Sequence, residues 1–175
     1  YLHESGVHVP MIVWAPGLID AGTVVEELVT TTDISRTVLE LAGAHEPDYL
    51  TGKSFLDVAA NPNHEYVRTA RDIWDEIDEC SRGITTKDFA YIRNYMPYTP
   101  WMQPLNYLWK MKATQAWVEH VESGKAAEIE ARFFEPKGWT EELYDMEQDP
   151  DSIHNLIDNP EYAEVIKHMQ SNLRS

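Results

Sequence analysis

Cysteine is almost absent. Cys80 stands alone among 175 residues, which excludes an internal disulfide and a zinc ribbon and leaves the redox compartment open. Long apolar runs are missing as well: no stretch of 18 apolar residues occurs, so no helix is expected to span a bilayer. Bases are scarce, 14 against 30 acids, and a net charge of −16 repels nucleic-acid phosphates and anionic headgroups alike. Neither nucleic acid nor membrane is an expected partner. No Gly-rich phosphate loop, Gly-x-Ser-x-Gly elbow or usable Cys–His pairing is found, so nucleotide binding and triad hydrolysis have no support. Eight glycines and ten prolines are too few for a low-complexity chain. The first residue is Tyr1 and no signal-like segment follows it, so the chain reads as a piece of something longer.

What is present is an aromatic-rich globule, 43% apolar and 11% aromatic, of a length suited to one domain. Bases gather in the middle: 3 against 10 acids in residues 1–70, 9 against 11 in 71–140, and 2 against 9 in 141–175. An anionic ligand would be met most readily there.

Val7 to Trp14 is a nearly continuous apolar run closed by Ala15-Pro16-Gly17, and reads as a buried strand. Thr23 to Thr31 is β-rich. Thr32 or Asp33 then caps a helix with Ile34, Val38 and Leu41 on one face, stopped at Gly43. After a loop-like stretch to Glu65, strands are expected at 67–74, 80–86, 89–95 and 142–145. The middle two form a hairpin in which Phe89, Tyr91, Arg93 and Tyr95 share one face and Ala90, Ile92 and Asn94 the other. Met96 to Trp109 is a proline- and aromatic-rich loop, and residues 114–134 are helical with a break at Ser123-Gly124. Asn159 caps a last helix, with Pro160 at its first position and Tyr162, Val165, Ile166, Met169 and Leu173 along one stripe.

Four groups have residue types suited to chemistry. In His3-Glu4-x-Gly6-x-His8 the two histidines, if on a strand, point to opposite faces and spoil a shared metal site. Arg71-Asp72-Ile73-Trp74-Asp75-Glu76, with Asp78 and Glu79, sets five carboxylates that can orient sugar hydroxyls beside an arginine able to grip a sulfate or carboxylate with two hydrogen bonds. A solvated strand end is the competing reading. Tyr91, Tyr95, Tyr98, Trp101, Tyr107 and Trp109 offer stacking faces for a sugar ring, or core. Asp145 to Asn155 alternates acids like a calcium loop but lacks the central glycine and terminal glutamate.

Three ordered segments carry a family resemblance. Leu2-His3-Glu4-Ser5-Gly6-Val7-His8-Val9-Pro10-Met11-Ile12-Val13 resembles the Leu-Tyr-Glu-x-Gly-x-Arg-x-Pro-Leu-Ile-Val strand of type I sulfatases, members of the alkaline phosphatase superfamily. Thr32-Asp33-Ile34-Ser35-Arg36-Thr37-Val38-Leu39-Glu40-Leu41-Ala42-Gly43 is similar to that family's Asp-Leu-x-Pro-Thr-Leu-Leu-x-Leu-Ala-Gly helix, with Gly52-Lys53-Ser54-Phe55 in place of the usual Gly-x-Ser-Leu. Glu142-Leu143-Tyr144-Asp145-Met146-Glu147-x-Asp149-Pro150, ending Asn155-Leu156, resembles Glu-Leu-Tyr-Asp-Leu-x-x-Asp-Pro-x-Glu-x-x-Asn-Leu. Tyr91-Ile92-Arg93-Asn94-Tyr95-Met96-Pro97 is most similar to the bacterial sulfamidase-like (N-sulfoglucosamine sulfohydrolase-like) branch.

The resemblance implies an α/β fold that is α+β in its C-terminal part: residues 1–65 ending the large sulfatase domain, and 66–175 forming a four-stranded antiparallel subdomain packed by a helix, with an aromatic insertion at 96–139. It implies a periplasmic or secreted parent that hydrolyses sulfate esters or N-sulfates of a sulfated sugar with calcium and a formylglycine. The nucleophile motif Cys/Ser-x-Pro-x-Arg is not found, since Ser81-Arg82-Gly83-Ile84 follows Cys80, and the acidic metal ligands have no counterpart. No catalytic or metal residue is therefore assigned, and the chain alone is expected to be inactive. His3, Arg71, Asp72, Asp75 and Glu76 are the expected substrate-rim residues. The missing N-terminal portion, or self-association, is expected to cover the apolar strand. A phosphonate or phosphate monoester hydrolase of the same superfamily and a non-catalytic sugar-binding module are the alternatives.

Overall fold

The computed structural model describes residues 1–174. Its elements in chain order are α1 (Glu4–Val7), α2 (Thr31–Leu41), β1 (Val67–Arg71), β2 (Ser81–Thr85), β3 (Phe89–Asn94), α3 (Asn106–Trp109), α4 (Lys112–Glu122), α5 (Glu128–Ala131), β4 (Glu141–Asp145) and α6 (Ala163–Arg174). The chain divides into two compact units, one of residues 1–8, 68–84 and 89–174, the other of residues 9–67 and 85–88.

The first unit is built on an antiparallel sheet in the order β1-β2-β3-β4. Chain alternation decides its two faces. β3 and β4 pair with Ala90 opposite Tyr144 and Ile92 opposite Glu142, which puts these four on one face, where Leu2 packs with Ile92 and Tyr144. Phe89, Tyr91 and Arg93 lie on the other face, as the alternation predicts. There α6 packs against β3. A short 3-10 turn, Pro160–Tyr162, precedes that helix, and the Asn159 side chain caps the turn. Three ties hold the turn and α6 across the sheet: the Tyr162 ring of the turn lies edge-on to Phe89 at 5.9 Å, and from α6 Gln170 Nε2 donates to Glu141 Oε2 at 2.8 Å while the Asn172 carbonyl accepts from Arg68 Nη2 at 2.8 Å. Met169, at the middle of the expected stripe, is 1% exposed. Gly83 admits close approach of its neighbours: a Cβ there would meet Thr69 Oγ1 at 2.4 Å.

The second unit departs from the sequence expectations in two places. Residues 9–14 form no strand, and Ile12 and Trp14 are 94% and 87% exposed. A strand needs a hydrogen-bonded neighbour, and no described segment pairs with this one. Residues 23–30 are likewise not a strand; Thr30 instead caps α2, its hydroxyl accepting from Thr32 N at 3.2 Å. Asp33 is thus not the cap but the third helical residue. Its carboxylate accepts from Thr30 N (2.8 Å), Lys53 N (2.8 Å) and His64 Nε2 (2.9 Å), and it is fully buried. The buried side of α2 is therefore the polar one, Asp33 and Thr37, while Ile34, Val38 and Leu41 are exposed.

Asp33→Ala strips three donors of their acceptor at once, and we expect it to cost about 3 kcal/mol of stability. Urea unfolding checks this, and an unchanged midpoint would remove Asp33 from its organising role.

Candidate functional site

A continuous buried polar chain crosses the face of the sheet that Leu2 packs against. It begins at Lys137, whose Nζ reaches Glu79 Oε2 at 2.8 Å, both side chains being almost wholly buried, and also donates to Thr99 Oγ1 at 2.9 Å. Glu79 Oε1 accepts from Cys80 N at 3.0 Å and lies 3.0 Å from Ser81 Oγ, which is 3.0 Å from Asn94 Oδ1 across the β2–β3 pair. Asn94 Nδ2 donates to the Trp139 carbonyl at 3.2 Å and to Glu142 Oε1. The other Glu142 oxygen meets His3 Nε2 at 3.1 Å and the Tyr144 hydroxyl at 2.5 Å. The His3 ring stands edge-on to Trp101 and Tyr144, at 5.8 and 5.7 Å. His3 precedes α1 and is not on a strand, so the strand-parity exclusion of a His3–His8 site does not apply. His8 pairs with Glu4.

Burial pushes the Glu142 carboxyl up, but the His3 hydrogen bond and charge, with hydrogen bonds from Tyr144 and Asn94, outweigh it and hold the group below the usual carboxylate range. Tyr144 is driven upward by burial and by the Glu142 charge, so it keeps its proton and donates.

The five expected rim residues fall into two places. His3 and Arg71 line one small polar pocket of about 10 Å³, too small for a sugar ring, in which Glu79 and Lys137 also take part. The Arg71 guanidinium lies 4.4 Å from the Tyr1 ring centre. Asp72, Asp75 and Glu76 lie together on the exposed loop beyond β1. Asp72 pairs with Arg82 Nη1 at 2.8 Å. Trp74 and Ile77 exchange both backbone hydrogen bonds, at 3.1 and 2.9 Å, making a tight turn with Asp75 and Glu76 at its tip. Asp75 has φ 51, in the left-handed region. Two contacts brace the turn: Trp74 stands edge-on to Tyr107 at 6.2 Å, and Glu76 accepts from Asn106 N at 3.0 Å and from Asn106 Nδ2.

The aromatic group divides between core and surface. Tyr91 and Trp101 are buried, whereas Tyr95, Tyr98 and Tyr107 are exposed. In the 145–155 segment the acids hold backbone: Asp145 accepts from Glu147 N and Gln148 N, and Asp149 from Ile153 N and His154 N. Among the described residues no three His, Cys, Asp or Glu side chains come together as a metal ion needs. Sequence reasoning missed Glu79, Asn94, Lys137 and Glu142 as a unit. One signal was available: Glu142 and Tyr144 share a strand face with apolar neighbours.

Because the folded Glu142 pKa lies below its unfolded value, its stabilisation is full above the unfolded carboxylate range and is lost as pH falls through the folded pKa. Glu142→Gln should lower stability by about 1–3 kcal/mol near pH 7, and the gap from the parent should narrow below about pH 4. Urea titrations across pH measure this, and a gap that stays constant with pH would refute it.

Comparison with known proteins places this architecture. Residues 1–103 match the family described as N-sulphoglucosamine sulphohydrolase, C-terminal. An ulvan-active sulfatase of Formosa agariphila is 30% identical over 172 residues, covering 98% of this chain and 29% of its own. Arylsulfatase K of Mus musculus is 25% identical over 178 residues, covering 99% of this chain and 26% of its own. The chain thus spans less than a third of the length of these relatives. Among solved structures, BT1596, a 2-O GAG sulfatase, shares the fold at TM-score 0.51 and 19% identity, over 81% of this chain and 23% of its own. BT4656, solved in complex with its substrate D-glucosamine-2-N, 6-O-disulfate, does so at TM-score 0.50 and 20% identity, over 81% and 22%. The family match covers more than half of the chain, and the chain belongs to the family described as N-sulphoglucosamine sulphohydrolase, C-terminal.

Proposed function

We propose that the protein containing these residues hydrolyses sulfate esters or the N-sulfate of a sulfated sugar, and that this part of it recognises the sugar. The observation that carries the reading is the braced turn at Trp74–Ile77. It presents the Asp75 carboxylate to solvent, while Glu76 is engaged with Asn106 and Asp72 with Arg82. A carboxylate beside a sulfate would raise its binding cost, whereas one a few ångströms away accepts hydroxyl hydrogen bonds or pairs with a sugar amine. Arg71 is the complementary group, whose guanidinium is able to offer two parallel hydrogen bonds to an oxyanion at the rim, whereas the pocket of about 10 Å³ that it lines with His3 is itself too small for one. Sulfatase relatives favour this reading over a phosphate or phosphonate monoester hydrolase.

Calcium and a formylglycine belong to the same proposal, but the residues here do not fit either group. Cys80 is followed by Ser81-Arg82-Gly83, without the proline and arginine of the nucleophile motif, and no metal-ligand cluster exists among the described residues. Both are therefore assigned to the remainder of the protein, and no step is routed through them. The exposed apolar segment from Val9 to Trp14 and the exposed stripe of α2 are surfaces for that remainder, with self-association as the other way to cover them.

Two outcomes are expected. Residues 1–175 alone should turn over no aryl sulfate above a buffer control, and turnover with contaminating enzyme excluded would overturn the division of labour. In the full-length protein, Asp75→Asn should raise KM for the natural sugar about fivefold and leave a small aryl sulfate nearly unaffected. Equal losses on both would mean a folding effect, and no loss on either would return the loop to plain solvated surface.

A further inference from the structure

The face of the sheet covered by α6 holds a groove of about 630 Å³ whose lining includes Arg68, Arg82, Arg93 and Arg174, with no acidic residue. In a chain with 14 bases against 30 acids, four of those bases gather in one concavity. Arg174, in the last turn of α6, has a local reason to be there in the helix dipole. The strand arginines have acidic partners instead, Asp72 for Arg82 and Glu141 for Arg93. Tyr95 N donates to the Cys80 carbonyl at 2.9 Å, and Ser81 meets Asn94 side chain to side chain, so antiparallel register sets Arg82 directly opposite Arg93. Like charges in that relation destabilise a sheet. Asp72, bonded to Arg82, and Glu141, directly opposite Arg93 on β4 and 3.1 Å from it, offset these charges in part, and neither is among the residues lining the groove.

A second observation points the same way. Tyr91, fully buried and part of the groove lining, has a hydroxyl with no well-formed hydrogen bond among the described residues, although Glu141 and Gln170 lie within its reach. Buried hydroxyls rarely go unpaired. Burial and the neighbouring Glu141, through its charge and as a hydrogen-bond acceptor, keep its proton in place, so the hydroxyl is a donor beside that carboxylate. Tyr95, 52% exposed with the Arg93 guanidinium 5.6 Å from its ring centre, adds an aromatic face at the mouth.

We propose that this groove binds an acidic oligosaccharide through its sulfate or carboxylate groups, held by Arg82, Arg93 and Arg174, with the Tyr91 hydroxyl donating from the floor and Tyr95 against a sugar ring. Guanidinium forks suit planar or tetrahedral oxyanions, and an exposed aromatic suits a pyranose face. The saccharide part of this inference rests on the sulfated-sugar reading above; the oxyanion part rests on the groove alone.

The test uses the full-length protein and a heparin-derived tetrasaccharide, with binding read by calorimetry and by hydrogen exchange of residues 89–95 and 168–174. Arg93→Gln combined with Arg174→Gln should weaken binding about tenfold or more, and Tyr91→Phe about threefold with an unchanged melting temperature. Lys112→Gln combined with Lys125→Gln, which removes the same charge elsewhere, should change it less than about twofold. A chemically desulfated tetrasaccharide that keeps its uronates separates sulfate from carboxylate recognition, and inorganic sulfate tests whether the sugar contributes. Equal weakening by the lysine pair, no weakening by any groove variant, or no protection in the two segments would overturn the proposal. Aryl sulfate turnover in the same preparations reports on the sulfatase reading separately. Its absence would sink that reading while leaving the binding result standing.

Discussion

The first unit depends on burying two full charges and satisfying both. Lys137 and Glu79 have almost no exposed side-chain surface, and removing either would leave the other uncompensated in a low-dielectric interior. The Ser81–Asn94 contact carries this ion pair on to Glu142, where His3 and Tyr144 close the chain. Six stretches thereby become interdependent: the first residues, the segment before β2, β2 itself, β3, the aromatic insertion and β4. An apolar core would tolerate a sliding register or a reoriented insertion. A network of directional contacts, in which Lys137, Ser81 and Asn94 each bridge at least two groups, does not, and this gives the small sheet a single arrangement.

Legibility in the sequence followed the range of the interactions. The hairpin faces of β3 and the stripe of α6 are periodicities within a dozen residues, and both stand where they were expected. The four-stranded sheet and its helix are as the family resemblance implied. Val9 to Trp14 and residues 23–30 failed as strands because a strand is a pairwise object, and hydrophobicity alone supplies no partner. At α2 the local signal chose the wrong cap. Asp33 looked like a cap because it precedes an apolar stripe, yet its carboxylate is committed to Lys53 and His64, 20 and 31 residues away.

The candidate site shows the same division. The acidic run at Arg71 was visible as composition, but its partition was not: Arg71 lines a small pocket with His3, while Asp75 and Glu76 stand at the tip of a tight turn. The link between His3 and Glu142 spans 139 residues and leaves no local trace. Glu76 would read as a free acid from sequence, and only the fold reveals Asn106 as its partner.

The conformation of Asp75 has a consequence for how this surface can diversify. With φ 51 at the tip of a tight turn, the position admits glycine freely and asparagine or aspartate at small cost, whereas β-branched and bulky side chains are strained there. Related proteins that keep this turn therefore choose among a carboxylate, an amide and bare backbone at its tip. A larger change of side chain requires a turn of different length, so divergence at this corner should proceed by insertion and deletion rather than by substitution.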